Sequence, residues 1–254
     1  MERASRRFTW LYAKSEVKLK YRYTLLGVLW NLLDPLLYLG VLSLVFSVVN
    51  RMQLRDYAVF LFSALVPWRY FEKIVVTCMD SIVQGDWLLK KLPVSPFALP
   101  LTRWMVASVE FGFSFLAVSL VLAALKTRFT IHCVVLPLSA AVWSIFGLGL
   151  GLVCAVLFTF FRDIRPIVNM CLMFAFFSAP ILFRADLFPE QSFQARMVSW
   201  HPLTYFAALF QKPLYYAAWP SSLDWGVACA VAGASLAVGA LTLNAFKARL
   251  YFYV

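Results

Sequence analysis

The chain has 254 residues, of which 63% are hydrophobic, 17% aromatic and only 14% charged, and its formal net charge is +11. Soluble domains are about 45–50% apolar and about 25% charged, so this composition excludes an ordinary soluble domain. A membrane-crossing helix needs roughly 20 apolar residues, so this length holds about six such helices and little else. The composition therefore predicts an all-α integral membrane protein.

Six apolar segments of helical length follow one another along the chain. They cover Leu25–Val49, Tyr57–Met79, Trp104–Leu125, Cys133–Phe161, Ile167–Phe183 and Trp225–Phe246. We expect each segment to cross the membrane once, which puts both termini on the same side. In this interpretation residues 1–254 form a single transmembrane domain, with five spans in residues 25–183, a sixth in 223–246, and a cytoplasmic tail in 247–254.

The positions of the basic residues indicate the orientation. If both termini are inside, 14 of the 23 Lys and Arg fall in inner segments and 7 in outer segments, while Arg69 and Lys73 lie within the second apolar segment. Cytoplasmic flanks of membrane helices are enriched in Lys and Arg, so we expect both termini in the cytoplasm. Orientation and attraction to anionic membrane lipid then account for most of the net charge, and no nucleic-acid partner is expected.

Residues 1–24 have the pattern of an amphipathic helix that lies at the membrane surface. At 100° per residue the two faces differ in character. One stripe holds Arg3, Arg7, Lys14 and Lys18, and another holds Phe8, Tyr12, Leu19 and Tyr23. Such a helix either rests among the lipid headgroups or docks on a cytoplasmic partner, and both interpretations stay open.

The connection between the last two spans, residues 184–222, is rich in aromatic residues. It contains four prolines, namely Pro189, Pro202, Pro213 and Pro220. Proline breaks helices and aromatic rings favour the membrane interface, so we expect short re-entrant helices that form a gate on the outer side. The candidate gate residues are Trp200, His201, Pro202, Tyr205 and Phe206. We interpret His201 as a turn or interface residue rather than a catalytic base.

The sequence offers no constellation for catalysis or metal binding. It lacks the Walker A, HExxH and GxSxG patterns. Its five cysteines form no C-x-x-C pair, and its two histidines are far apart. We therefore expect no catalytic residue, metal or cofactor in this chain, and any energy source must come from another protein.

Charged side chains within apolar segments predict a functional site, because each is costly in the membrane unless it is paired or hydrated. Arg69, Glu72 and Lys73 have i, i+3 and i+4 spacing, so Glu72 can pair with Arg69 on a face that borders a water-filled interior. Alternatively, this helix is displaced and the group lies near an interface. Glu110 and Asp34 invite the same hypothesis more weakly.

Aromatic residues flank these charges at Trp68, Tyr70 and Phe71. Most aromatic side chains in such a protein face lipid or pack between helices, but rings that line a path can also stack on sugars. We therefore take residues 68–73 together as the candidate translocation path. The GLGLG stretch around Gly149 predicts close helix packing, within the chain or in a homodimer.

Residues 20–37, KYRYTLLGVLWNLLDPLL, resemble the start of the first span in the membrane subunits of type-2 ABC exporters for polysaccharides, the Wzm-like permeases for O-antigen, capsule and teichoic acid. The matching positions are Leu26, Gly27, Leu29, Trp30, Leu32 and Pro35. FRDIRPIVNMCLMF and HPLTYF resemble the start of the fifth span and a later segment, with His201 in place of the usual Asn. LVPWRYFEK and WLLKKLPVSPFALPL are similar to the second span and the cytoplasmic loop after it.

The resemblance implies a homodimer of six-span subunits that works with two copies of a nucleotide-binding ATPase subunit, on which ATP and Mg²⁺ are bound. It implies a site for the carrier pyrophosphate at the cytoplasmic mouth, at Lys20, Arg22, Leu26 and Gly27. It also implies that the loop after the second span couples to the ATPase. The coupling residues would be Trp87, Leu88, Leu89, Lys90, Lys91 and Leu92.

The function expected from the resemblance is ATP-driven export of a polyprenyl-pyrophosphate-linked polysaccharide, of O-antigen type, across the bacterial inner membrane. A capsular polysaccharide or teichoic-acid exporter is one alternative. A secondary transporter or channel is another, although repeated halves with matching broken helices, which are typical of such transporters, are not apparent. A membrane enzyme would need a clustered acid, base or metal set, which the sequence lacks.

Overall fold

A computed structural model describes residues 2–22, 29–92, 94–124, 130–184, 189 and 192–253. In these residues the secondary structure is entirely helical, as the composition predicts. The helices are α1 (Glu2–Arg22), α2 (Leu29–Val49), α3 (Leu54–Gln84), α4 (Asp86–Lys91), α5 (Ala98–Ala124), α6 (Leu136–Phe160), α7 (Ile164–Ser178), α8 (Phe193–Trp200), α9 (Pro202–Gln211) and α10 (Ser222–Tyr253).

Each of the six apolar segments overlaps a helix, but the helices differ in their capacity to cross a membrane. Among the described residues, three are long and apolar enough by themselves. They are α5, α6 together with the 3-10 turn Ile131–Val135 that precedes it, and Ser222–Leu250 of α10. Leu36–Val49 and Leu54–Gln84 qualify only as a pair, and they meet at a bend of 119°. The apolar helix α7 is shorter, so the number of six spans stays a prediction.

Most helices begin or end a few residues away from the predicted boundaries, and two of these differences change a prediction. The fifth apolar segment reaches Phe183, but α7 ends at Ser178 because Pro180 forces the preceding residue Ala179 out of the helical region, to φ −80° and ψ 150°. At the other end of the chain, α10 continues to Tyr253, so residues 247–253 extend the last helix.

Helix α6 lies at the centre of the bundle, between α3 and α10, and its glycines permit the close approach. A Cβ atom on Gly151 would lie 2.7 Å from Cys78 Cβ of α3, and a Cβ atom on Gly149 would collide with the backbone of Ser235 and Leu236 in α10. The glycine stretch therefore packs within the chain, as the first of the two interpretations has it.

The buried side chains form two clusters along α3. The larger one surrounds the first half of α3 and includes Phe62, Trp68, Trp143 and Phe206. The smaller one surrounds the second half of α3. Its buried members include Ile74, Cys78, Ile82, Leu89, Leu99 and Leu152. The charged residues of the candidate path lie on α3 where these two clusters meet.

The connection between α7 and α10 contains the expected short helices, α8 and α9. Helix α9 packs against α3, α6 and α10, and Phe206, Leu209 and Phe210 are almost fully buried. Two of its backbone carbonyls accept hydrogen bonds from α6. Trp143 Nε1 donates to the oxygen of Phe206 at 3.0 Å, and Ser139 Oγ donates to the oxygen of Leu209 at 3.0 Å.

Candidate functional site

Glu110 is a buried carboxylate at the junction of three helices. Its side chain is 3% exposed and forms ion pairs with Lys20 of α1 and Lys73 of α3. A buried charge costs several kcal/mol unless it is paired, so the two ammonium groups are what permit Glu110 to lie inside the apolar helix α5. The sequence indicated Glu110 as a functional residue less strongly than Arg69 and Glu72. The structure places it at the centre of an ion-paired group with Lys20 and Lys73, which we call the Glu110 cluster.

Arg69 and Glu72 form the pair that their spacing predicts. Arg69 Nη1 lies 3.1 Å from Glu72 Oε2, and both side chains are partly exposed. The guanidinium also lies over the ring of Tyr38 in α2, with its carbon 4.9 Å from the ring centroid. This second contact was not predicted, because sequence spacing along α3 gives no information about the neighbouring helix.

Two cavities flank the Glu110 cluster. The first, which we call the Arg69 cavity, has a volume of about 340 Å³ and is lined by Tyr38, Arg69, Glu72, Phe111 and Ser114, among others. The second, the Arg103 cavity, has a volume of about 520 Å³ and is lined by Glu16, Leu19, Lys20, Arg103 and Val106. Lys73, Thr77, Ala107 and Glu110 line both cavities. These four residues form the wall between them.

A third cavity lies between α1, α5 and α6 and has a volume of about 890 Å³. Its lining is mostly apolar and includes Trp10, Val17, Met105, Val109 and Ile145. Lys14 is the one charged residue among the described residues that line it. A groove of this character suits the hydrocarbon tail of an amphiphile better than a sugar.

The predicted path residues divide between two faces of α3. Arg69, Glu72 and Lys73 line the Arg69 cavity, whereas Trp68 and Phe71 are 2% exposed and lie in the core. Trp68 packs against Phe71 and Phe176, with ring centroids 5.4 and 5.7 Å apart. The division follows helical periodicity, since i, i+3 and i+4 positions share a face.

Tyr70 is buried but borders the Arg69 cavity. Its ring stacks on Phe111 with a centroid distance of 4.3 Å, and its hydroxyl lies 2.7 Å from Ser108 Oγ. The stacking surface predicted for a sugar is therefore covered by a neighbouring ring in this conformation. A role for Trp68, Tyr70 and Phe71 in translocation stays a prediction.

Helix α1 docks on α5, and ion pairs fix its position. Arg103 Nη1 of α5 donates to Glu16 Oε2 of α1 at 2.5 Å, one turn before the Lys20–Glu110 pair. Phe8 and Tyr12 of the predicted apolar stripe pack against the smaller core cluster of the same chain, whereas Leu19 of that stripe is 54% exposed. No sequence signal identifies Glu16 and Arg103 as partners, because they are 87 residues apart.

The predicted site for the carrier pyrophosphate is only partly within the described residues. Lys20 lies at the end of α1, where its ammonium group meets Glu110 and lines the Arg103 cavity. Arg22 is the last residue of α1, and its side chain is outside the described residues, as are Leu26 and Gly27. The assignment of this site stays a prediction.

The predicted coupling loop contains the short helix α4. Leu88 and Leu89 are buried in the smaller core cluster, so they anchor the helix to its own subunit. Trp87 and Leu92 are 52% and 41% exposed. Lys90 and Lys91 are also exposed, and Lys90 Nζ lies 3.3 Å from Asp86 Oδ2. The exposed set on this surface is therefore Trp87, Lys90, Lys91 and Leu92.

His201 occupies a defined structural position between α8 and α9. Its Nδ1 accepts a hydrogen bond from the backbone N–H of Leu203 at 3.2 Å, so the imidazole caps the start of α9. Pro202 follows at the first helical position, which suits proline. Asn is a preferred capping residue, and the imidazole nitrogen replaces its side-chain oxygen here. His201 therefore lies where one short helix ends and the next begins, and its Nε2 also lies 3.1 Å from Ser178 Oγ.

The other predicted gate residues are distributed over both sides of this segment. Trp200 is 86% exposed at the end of α8, whereas Phe206 is fully buried under α6. The Tyr205 hydroxyl donates to the backbone oxygen of Ser199 at 3.0 Å and ties α9 to α8. The structure therefore brings these residues together in one helical unit, and their role as a gate stays a prediction.

The ion pair between Arg165 and Asp80 was not predicted either. Arg165 Nη2 of α7 lies 3.2 Å from Asp80 Oδ2 near the end of α3, and the other oxygen of Asp80 has no hydrogen-bond partner among the described residues. Asp80 lies just beyond the second apolar segment and Arg165 just before the fifth. Their proximity depends on the packing of α7 beside the bundle, which local sequence does not reveal.

Comparison with known proteins gives three informative relatives. The chain is 28% identical over 189 residues to the O-antigen export system permease protein RfbA of Klebsiella pneumoniae, a match that covers 74% of this chain and 72% of the relative. It is 29% identical over 201 residues to the protein of the same name from Myxococcus xanthus, with 79% and 77% covered. It is 23% identical over 200 residues to the polysialic acid transport protein KpsM of Escherichia coli, with 78% and 77% covered.

No family model matches the chain. The relatives nevertheless extend over about three quarters of it, and each is named as a permease or transport protein. Their names agree with the resemblance read from the first-span motif and the later segments. The curated relatives and the all-helical, apolar fold together support the family that the sequence motifs indicate, the permeases of type-2 ABC exporters for polysaccharides.

Proposed function

We propose that this chain is the membrane subunit of an ATP-driven exporter that moves a polyprenyl-pyrophosphate-linked polysaccharide, of O-antigen type, across the bacterial inner membrane. The observation that carries the proposal is the similarity to O-antigen export permeases over about three quarters of the chain. The chain binds and conducts its substrate, and hydrolysis of ATP with Mg²⁺ takes place on a separate subunit.

The cavities support a substrate that is both anionic and amphiphilic. The Arg69 and Arg103 cavities lie on either side of a charged cluster, which suits a phosphorylated headgroup. The apolar cavity beside α1 suits a hydrocarbon chain such as a polyprenyl tail. Lys20 and Arg22 would contact the pyrophosphate, with Leu26 and Gly27 beside them, and Arg69 and Glu72 would line the path of the glycan.

The proposed topology has six spans with both termini in the cytoplasm. In this arrangement α2, α3, α5, α6, α7 and α10 cross the bilayer, α1 lies at the cytoplasmic surface, and α8 and α9 form the re-entrant outer gate in residues 184–222. The coverage of α9 by α3, α6 and α10 supports this part of the proposal, because backbone at membrane depth must be shielded by protein.

The proposed assembly is a homodimer with two ATPase subunits. Trp87, Lys90, Lys91 and Leu92 form a small exposed surface of mixed apolar and basic character, which can fill an apolar groove and contact acidic residues of the ATPase. Leu88 and Leu89 would transmit the movement of this surface into the bundle, since they are buried in the smaller core cluster.

Co-purification tests the proposal directly. The tagged chain is expressed in its native host, and the complex is reconstituted in lipid nanodiscs with the lipid-linked glycan. We expect a nucleotide-binding subunit in equal stoichiometry, with an ATPase rate that rises on addition of the glycan. A complex whose ATPase subunit carries a substituted Walker lysine is the control. Transport driven by an ion gradient without any ATPase subunit would contradict the proposal and identify a secondary transporter.

The relative named as a polysialic acid transport protein favours a second candidate substrate class, a capsular polysaccharide. Its identity of 23% is below the 28% and 29% of the O-antigen permeases. Comparing O-antigen, capsular and teichoic-acid carriers in the same ATPase measurement distinguishes the candidates, because only the cognate glycan should stimulate hydrolysis.

A further inference from the structure

The ion pairs around Glu110 lie at the wall between the Arg69 cavity and the Arg103 cavity. Lys73 and Glu110 line both cavities, and Lys20 closes the Arg103 side. The positions of the lining residues place the two cavities one after the other along α3 and α5. Ser114 and Arg69 lie at one end of this series, and Glu16 and Arg103 lie at the other.

The charges in this region do not balance. The cations Lys20, Arg69 and Lys73 face only two carboxylates, because Arg69 pairs with Glu72 while the two lysines share Glu110. One positive charge therefore remains among these five side chains. Such an excess of positive charge beside a buried carboxylate favours the binding of an anion.

Glu110 is almost fully buried, whereas Lys20 and Lys73 are 47% and 40% exposed. The carboxylate cannot move far, since it is held within α5, but both lysines have long, flexible side chains that reach into the cavities. An anion that enters the Arg103 cavity can therefore draw the ammonium groups away from Glu110 without displacing the carboxylate.

We propose that Lys20, Glu110 and Lys73 form an anion-operated partition between the two cavities, and that a diphosphate headgroup opens it by taking Lys20 and Lys73 from Glu110. Glu110 acts as a resident anion that keeps the partition closed and α1 docked until a stronger, doubly charged competitor arrives. This inference rests on the proposed function, because that function supplies the diphosphate.

The partition is tested by thiol labelling of the chain in nanodiscs. Ser114→Cys places a thiol in the Arg69 cavity, and the exposed Cys171 and Cys229 are replaced by Ser to reduce background labelling. A charged, membrane-impermeant thiosulfonate is added with inorganic pyrophosphate, with sulfate at equal ionic strength, or with polyprenyl diphosphate in the nanodisc lipid. We expect a diphosphate to accelerate labelling of the introduced thiol at least about fivefold, the lower end of typical coupling between two sites.

Two variants show whether the triad is responsible. Glu110→Gln should make labelling fast without an anion, and pyrophosphate should then add nothing. Glu72→Gln is the matched control, because Glu72 lines the same cavity but pairs with Arg69 outside the triad, so its response to pyrophosphate should persist. If Glu110→Gln fails to fold, Lys20→Gln tests the triad instead, since Lys20 is half-exposed and Glu110 keeps its pair with Lys73. Labelling without an anion should then be faster than in the parent chain, and the added effect of pyrophosphate should be smaller.

If only polyprenyl diphosphate accelerates labelling, the anion must arrive on a membrane anchor. If inorganic pyrophosphate does so as well, the headgroup suffices. Both results support the partition. Unchanged labelling with either diphosphate, or equal effects of Glu110→Gln and Glu72→Gln, would overturn it. These measurements need no ATPase subunit, so the partition can fail while the exporter assembles, and the exporter can fail to assemble while the partition opens.

Discussion

Gly149 of α6 and Gly239 of α10 face each other, and neither position has room for a Cβ atom. A Cβ atom on Gly149 would meet the backbone of Ser235 and Leu236, and one on Gly239 would meet the carbonyl group of Gly149. Backbone atoms cannot move aside as a flexible side chain can. The two helices therefore depend on glycine at this crossing for their spacing.

Gly149→Ala should separate α6 from α10 and destabilise the folded protein. Overpacking typically costs about 1–3 kcal/mol, which corresponds to a fall in Tm of several degrees for a chain of this size. The measurement is thermal unfolding of the purified chain in detergent. Gly233→Ala is the matched control on α10, since no atom lies within 4 Å of the Cβ position there. An equal loss of stability in both variants would show that the crossing does not set the spacing.

His201→Ala should weaken the start of α9 because it removes the Nδ1 acceptor from the N–H of Leu203. Loss of a capping side chain typically costs about 1 kcal/mol. His201→Asn should retain the stability, since the Asn oxygen can accept the same hydrogen bond. Amide hydrogen exchange at Leu203 and Thr204 reports the cap directly. If amide exchange were faster in His201→Asn than in His201→Ala, His201 would not act as the cap of α9.

Lys90→Glu combined with Lys91→Glu should reduce substrate-stimulated ATPase activity while membrane insertion stays normal. The exposed surface of α4 would then present acidic residues to an ATPase groove that is expected to bind basic ones. Lys247→Glu combined with Arg249→Glu makes the same charge change on another exposed surface and should leave the coupling intact. Unchanged stimulation in the Lys90 and Lys91 variant would remove α4 from the mechanism.

Trp68→Ala and Arg69→Gln should act on different properties although the residues are adjacent. Trp68 is buried between Phe71 and Phe176, so truncation should destabilise the protein by about 3–5 kcal/mol. Arg69 lines the cavity and is half-exposed, so Arg69→Gln should keep the unfolding midpoint and slow glycan passage instead. Thermal unfolding and transport in proteoliposomes separate these effects. A slow but fully stable Trp68→Ala variant would place the indole on the path.

The positions of the helices could be predicted because apolar length is a local property of sequence. The ion pair between Arg69 and Glu72 could be predicted for the same reason, since both residues belong to one helical turn. Helical periodicity also predicts that Trp68 and Arg69 lie on different faces of α3. The prediction of residues 68–73 as one continuous path did not make this distinction. A helical projection of residues 68–73 separates the two faces.

The ion-pair partners of Glu110 and Asp80 could not be predicted from the sequence, because they depend on which helices become neighbours. Lys20 and Glu110 are 90 residues apart, and no local pattern links them. The early end of α7 had a visible signal in Pro180, which excludes the helical conformation from the residue before it. The bend between α2 and α3 had no such signal. It depends on Asn50 and Tyr57, whose side chains both donate to the carbonyl oxygen of Leu182.

The hydrogen bonds from Trp143 and Ser139 to the carbonyls of α9 restrict how the segment between α7 and α10 can move. These two hydrogen bonds join α9 to α6, so the short helix cannot rotate away or unwind without breaking hydrogen bonds inside an apolar core. Displacement of α9 should therefore carry α6 with it. Any bending between α9 and its neighbours would have to occur where the helix begins, at His201, or in the π-helical turn that follows it, Lys212–Tyr216. If the proposed gate is correct, a substrate that displaces α9 would also displace α6, the helix at the centre of the bundle.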